Sequence, residues 1–121
     1  MSKSILAVDD SLTIRQLVHM VLTGGGYKVT LAEDGLAALD LLASAKPDLV
    51  ITDVNMPRMD GLSLVEKIRT LSDYRSVPVL VLTTESAPEK KARAREAGAT
   101  GWIVKPFNPQ QLLATVSRVL G

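Results

Sequence analysis

The sequence predicts an α/β domain of the doubly wound (βα)5 kind, a five-stranded parallel sheet with helices on both faces. Three observations carry this. Short apolar runs alternate five times with segments of helical periodicity, which is the pattern of βα units and not of hairpins. The run Leu49-Val50-Ile51 is apolar without alternation, as a strand covered on both faces must be. No linker, repeat or low-complexity tract interrupts the series, so residues 1–121 read as one domain. In the common strand order 2-1-3-4-5, the first and third strands lie side by side where the winding reverses.

Ile5-Leu6-Ala7-Val8 is the first strand, and it ends in Asp9 and Asp10. Ser11 or Asp10 can cap the helix that follows. There Ile14, Leu17, Val18, Val21 and Leu22 share one 3.6-residue stripe. Gly24-Gly25-Gly26 comes after a helix and lacks a following Gly-Lys-Ser/Thr, so it is a helix stop and not a phosphate loop. Tyr27 to Leu31 reads as the second strand, with Tyr27, Val29 and Leu31 on one face. The second helix spans about Gly35 to Ala45, with Leu36, Leu39, Leu42 and Ala43 inward, and Pro47 closes it.

The third strand stops at Asp53, where Pro57 and Asp60-Gly61 turn the chain. The third helix runs from about Leu62 to Leu71 on a stripe of Leu64, Val65, Ile68 and Leu71. Val77 to Leu82 is the fourth strand, ending in Thr83-Thr84; Pro78 is tolerated at its start, where an N–H can be spared. The fourth helix, about Pro88 to Ala97, offers only Ala92, Ala94 and Ala97 as apolar side chains. It therefore buries little and docks weakly. Gly101 to Val104 is the fifth strand and ends at Lys105-Pro106; the last helix, after Pro109, carries Leu112, Leu113, Val116, Val119 and Leu120.

Composition narrows the function. A net charge of +1 provides no field towards nucleic acid or a membrane surface. Without cysteine there is neither a disulfide framework nor a thiolate ligand or nucleophile. The N-terminal apolar run is too short for a leader or a span, so a cytoplasmic setting is expected.

The strand ends converge on one edge of such a sheet, where ligands bind in this architecture. They bring Asp9, Asp10, Asp53, Thr83 and Lys105 together. Three carboxylates in one crevice repel one another and call for a cation. Oxygen ligands without His or Cys select a hard ion, and Mg²⁺ is the usual companion of phosphate chemistry. The backbone carbonyl of Asn55 can add an oxygen. Phosphoryl transfer needs charge neutralised on three equatorial oxygens. Mg²⁺, Lys105 and Thr83 can take one each while Asp53 attacks in line, and a carboxylate nucleophile yields an aspartyl phosphate. An ionised Asp needs no general base.

With these residues in place the chain resembles the receiver domains of bacterial two-component response regulators, which share a flavodoxin-like fold. The likeness spans all 121 residues. It rests on the Asp9-Asp10 pair, Asp53, the Met56-Pro57 and Asp60-Gly61 turn, Thr83 and Lys105-Pro106. Ser11, Arg15 and Gly98-Ala99-Thr100-Gly101 are most similar to the free-standing CheY-type chemotaxis regulators. The resemblance implies a phosphoacceptor at Asp53 and Mg²⁺ held by Asp10, Asp53 and Asn55, with Asp9 acting through water. It further implies that Lys105 pairs with Asp53, that Thr83 binds a phosphoryl oxygen, and that the Lys105-Pro106 bond is cis. Asn55 and Glu85 fall where the family tunes dephosphorylation. The implied partners are a sensor histidine kinase of the chemotaxis type and a flagellar motor switch protein or phosphatase. A monomer is expected, with no nucleic acid and no membrane. Such a domain is not an enzyme acting on a separate substrate; it catalyses its own phosphoryl uptake and loss.

The sequence departs from the family at the switch position, three residues before the lysine, where Trp102 replaces the usual Tyr or Phe. Two arrangements are open: a reduced rotation, or a ring already inside before phosphorylation. The second is favoured, because an indole buries readily once its N–H finds a backbone acceptor.

Blander roles compete for single residues. Asp10 can be a cap only, Thr83 an ordinary strand-end hydroxyl, and Trp102 plain core. His19 reads as a boundary residue because no second titrating group accompanies it, and Lys90 to Arg95 reads as a solvated face. Met20 points away from the apolar stripe, a hint of a partner surface. Two other functions use similar parts. A phosphatase of the haloacid-dehalogenase kind wants an Asp two residues after the nucleophile, where Asn55 stands. A flavin-binding module wants a hydroxyl- and glycine-rich loop after the first strand, where Asp9 and Asp10 would repel the phosphate.

Overall fold

Every apolar run becomes a strand in the computed structural model, which describes residues 2–121; Met1, the start of the N-terminal stretch, lies outside them. The strands are β1 (Ser4–Val8), β2 (Lys28–Ala32), β3 (Leu49–Thr52), β4 (Val79–Thr83) and β5 (Gly101–Val104). They form one sheet in the order β2-β1-β3-β4-β5, with all pairs parallel. β3 and β4 are buried along their whole length, which explains their unbroken apolar character.

Register makes the site. Val8 lies opposite Thr52, so Asp9 and Asp53 leave neighbouring strands at the same level. The Asp53 amide donates to the Val8 carbonyl at 3.0 Å and continues the ladder by one bond. On the other side Thr83 lies opposite Val104, and the Lys105 amide donates to the Thr83 carbonyl at 2.8 Å.

The helices are α1 (Leu12–Gly24), α2 (Gly35–Ala45), α3 (Gly61–Thr70), α4 (Pro88–Ala97) and α5 (Pro109–Leu120). Ser11, Asp34, Asp60 and Asn108 cap α1, α2, α3 and α5, each side chain accepting from a first-turn amide. Between the two candidates for the first cap, Ser11 takes the position. Helix α4 alone of the five has no side-chain cap. Leu22, Leu112 and Val116 of α1 and α5 close one face of the sheet; Leu42, Leu64, Val65 and Ile68 of α2 and α3 close the other. Helix α4 adds Ala94 to a small cluster with Val54, Leu62 and Val81. One alanine methyl contributes on the order of 1 kcal/mol against roughly 2 for each buried leucine of α3, so α4 is held lightly.

Several sequence readings need correction. The second strand runs one residue later than Tyr27 to Leu31, and the fourth begins at Val79 because Val77 and Pro78 only lead into it. The inward face of α2 is Gly35, Ala38 and Leu42; Leu36 and Ala43 are exposed. Leucine and alanine occupy nearly every position of that helix, so its sequence marks no face. Packing decides which of them turn inward, and at the start of the helix Gly35 lies against Met59 with no room for a β-carbon. Leu71 is also exposed, because α3 ends at Thr70 and the chain leaves the helical path before the stripe's next turn.

Candidate functional site

The C-terminal edge of the sheet gathers the acidic residues by backbone geometry. Asp53 follows the last residue of β3, and its Oδ1 accepts from the Val54 amide at 2.6 Å. The chain then turns sharply, with the Gly61 amide donating to the Val54 carbonyl at 2.8 Å. A β-carbon on Gly61 would lie 1.8 Å from the Asp53 carbonyl oxygen, so only glycine allows this approach. Asp9 is held from three sides. Its amide donates to the Ala32 carbonyl at 3.1 Å, its Oδ1 accepts from the Ser11 amide at 2.9 Å, and its carbonyl accepts from Arg15 Nη1 at 2.7 Å. Asp10 is exposed beside it.

Carboxylate oxygens of Asp9, Asp10 and Asp53 all lie within 4.8 Å of one another. Lys105 reaches in from the end of β5, and the Lys105-Pro106 bond is cis. Its Nζ donates to Asp9 Oδ2 at 2.6 Å and to Asp53 Oδ2 at 3.1 Å. The lysine thus pairs with both carboxylates and more closely with Asp9, whereas the resemblance names only Asp53. The three acids are not without a compensating base.

Burial works against the Lys105 ammonium, yet hydrogen bonds to Asp9 and Asp53 outweigh it and hold the group above the ordinary lysine value. Burial also pushes the Asp9 carboxyl up, against the lowering by Lys105 and the Ser11 amide. The two shifts pull oppositely on one ion pair. Two short carboxylate contacts converge on the one ammonium and favour its charged form. An all-oxygen donor set with residual negative charge suits a hard divalent cation.

Thr83, Glu85 and Trp102 form a second group. Thr83 is fully buried, and its Oγ1 accepts from the Glu85 amide at 3.2 Å. The Glu85 carbonyl accepts from Trp102 Nε1 at 3.1 Å. The indole is half-buried against the small α4 cluster. Asn55 is exposed on the loop after Val54, two residues beyond Asp53. His19 and Met20 are exposed on α1.

Three participants escaped the sequence reading. Arg58, inside the turn, pairs with Asp34. Arg69 binds three backbone carbonyls at the end of α3. Gly61 was legible as a turn residue but not as a contact of Asp53. A groove of about 770 Å³ between the C-terminal end of α2 and the segment after α3 lies at the opposite edge of the sheet, away from the acids.

The family model for the response regulator receiver domain matches residues 5–117. The chain belongs to this family. The receiver domain is similar over its whole length to the chemotaxis protein CheY4 of Vibrio cholerae, at 50% identity and a TM-score of 0.95. That match covers 98% of this chain and 99% of the other. A response regulator from Burkholderia multivorans is 51% identical, with a TM-score of 0.81, and the match covers 100% and 97% of the two chains. Response regulator MprA of Mycobacterium tuberculosis is 40% identical over 120 residues. That match takes in 99% of this chain and 51% of MprA, so the chain spans about half the length of such relatives. As a receiver domain it belongs to two-component signalling, where receivers interact with histidine kinases and downstream targets. Among the described residues no helix is long and apolar enough to cross a membrane.

Proposed function

We propose that this receiver domain takes a phosphoryl group from a histidine kinase onto Asp53, with Mg²⁺, and passes the signal on by protein contact in the cytoplasm. The observation that carries the reading is Lys105 Nζ set between Asp9 and Asp53 within a cluster of three carboxylates. In the transfer an Asp53 oxygen forms the new O–P bond while the bond from phosphorus to the donor nitrogen breaks and its electron pair leaves with the donor imidazole. Bound by Asp10, Asp53 and the Asn55 carbonyl, with Asp9 through water, Mg²⁺ would neutralise phosphoryl oxygens. Lys105 and Thr83 serve the remaining two, and the Lys105 contact holds the Asp53 carboxylate in place. Asn55 and Glu85 border the product and tune its loss by water. The domain is a phosphoacceptor that catalyses its own turnover, made of residues 1–121 and acting as a monomer.

Incubation with acetyl phosphate and Mg²⁺ tests this. One phosphoryl group should be added, labile to hydroxylamine, and Asp53→Asn should abolish it. Equal labelling of the variant would sink the assignment.

The setting we favour is chemotaxis, with a kinase of the chemotaxis type upstream and a flagellar motor switch protein or a phosphatase as target. Its support is the full-length likeness to CheY4. The likeness to MprA favours a second reading, a receiver whose output is not motor contact. Capture of the motor switch protein only in the presence of beryllofluoride would select the first; no capture in either state would select the second.

A further inference from the structure

Arg58 has a φ of +66°, a left-handed value that a residue with a side chain adopts only when its surroundings impose it. The Met59 amide donates to the Pro57 carbonyl at 2.7 Å, so residues 57–59 close a three-residue turn about Arg58. A positive φ at the centre makes this the rare and strained form of the γ-turn. The turn lies in the loop between Asp53 and α3, directly after Asn55 and Met56.

What holds it is the N-terminus of α2. Arg58 Nε donates to Asp34 Oδ2 at 2.7 Å and Nη2 lies at the same distance from that oxygen, while Asp34 Oδ1 caps the helix by accepting from the Ala37 amide at 2.9 Å. The Arg58 side chain is 54% exposed, but that of Asp34 is only 5% exposed, so this carboxylate is committed to its two partners. A second contact reinforces the grip. A β-carbon on Gly35 would come within 2.9 Å of the Met59 β-carbon and carbonyl oxygen, so helix and turn pack closely there. Surface ion pairs ordinarily contribute little. This one brings two guanidinium nitrogens to one carboxylate oxygen, has one desolvated partner, and spans the gap between two loops at the acidic edge.

We propose that Asp34 and Arg58 form a positioning brace for the phosphoacceptor loop. Neither residue touches the reacting atoms. Together they hold the 57–59 turn, and through it the segment from Val54 to Met56, in the conformation that presents the Asn55 carbonyl to Mg²⁺ beside Asp10 and Asp53. The inference rests on the reading of the acidic cluster as the Mg²⁺ site.

Calorimetric titration with Mg²⁺ tests it on the whole chain, comparing wild type with Asp34→Asn, Arg58→Gly and the double variant. Asn at position 34 keeps an oxygen for the Ala37 amide, and Gly at position 58 accepts a positive φ without cost, so the fold survives in both. Each single change should raise the Mg²⁺ dissociation constant about ten-fold, the low end for residues that orient metal ligands. The double variant should be no weaker than the weaker single, since the pair acts as one unit. A merely structural link would lower the melting temperature without Mg²⁺ and leave the dissociation constant where it was; that result overturns the brace, as would additive losses. Asp10→Asn is the separate control. If it titrates like wild type, the metal reading itself fails; if it loses the heat of binding while Asp34→Asn does not, only the brace fails.

Discussion

Lys105 Nζ stands 2.6 Å from Asp9 and 3.1 Å from Asp53, one buried ammonium shared by two carboxylates. Removing it leaves like charges facing each other with no counter-ion. Lys105→Met should therefore lose about 3 kcal/mol in urea melts without metal, as broken buried pairs do. Saturating Mg²⁺ should recover much of that by binding the folded state alone. The pH sign follows from the raised lysine pKa. Its stabilisation is fully present below the ordinary value of 10.5 and is lost as pH rises through the higher folded value. Wild-type and variant stabilities should converge only in strongly alkaline solution. A deficit that ignores Mg²⁺ would show that the lysine does not share the cation's role.

Gly61 tests the acceptor loop from the other end. Its missing β-carbon is the space into which the Asp53 carbonyl fits. Gly61→Ala should cost about 3 kcal/mol, the upper part of the range for overpacking, because the clash is with backbone that no rotamer change relieves. Chemical denaturation measures it, and phosphorylation by acetyl phosphate should fall alongside. A variant of wild-type stability would mean the turn relaxes freely.

Trp102 is the only tryptophan, so its fluorescence reports one place. Its N–H already rests on the Glu85 carbonyl, and the Glu85 amide rests on Thr83. Emission should be blue-shifted and partly shielded from acrylamide before activation, with only a modest change on adding beryllofluoride and Mg²⁺. Trp102→Phe removes the donor and should cost about 1 kcal/mol. A fully exposed spectrum that becomes shielded on activation would restore the rotating aromatic of the family.

Arg69 pins the far end of α4. Its guanidinium donates to the carbonyls of Gly98, Tyr74 and Val77 at 2.7, 2.9 and 2.6 Å, without a carboxylate partner, and burial lowers its pKa. Since α4 has an uncapped N-terminus and one buried alanine, this arginine is a main tether. Arg69→Met should raise amide hydrogen exchange through the second half of α4 more than in α3 or α5. Uniform protection across the three helices would refute it.

Much of this was legible from the chain because it depends on local order. The five apolar runs, each ending in a residue with chemistry, place Asp9, Asp10, Asp53, Thr83 and Lys105 at one edge in any parallel sheet with right-handed crossovers. Likewise Ser11 announces the start of the first helix through chemistry confined to its own first turn. The fourth helix could be read as lightly held because its composition bounds what it can bury, whatever it packs against.

What only the tertiary structure decided involves pairs distant in sequence. That Lys105 lies closer to Asp9 than to Asp53 depends on how three strand ends meet at the edge. The inward face of α2 departs from the sequence pattern because leucine and alanine fill the helix, so packing alone decides which of them turn inward. Arg58 bonds Asp34, 24 positions earlier, a pairing that no local signal in either segment marks. Local propensity and periodicity are properties of a segment, and they determine which elements form and what stands at their ends. Ion pairs, close backbone approaches and helix rotations are properties of two segments at once, and they arise only when the whole chain has packed.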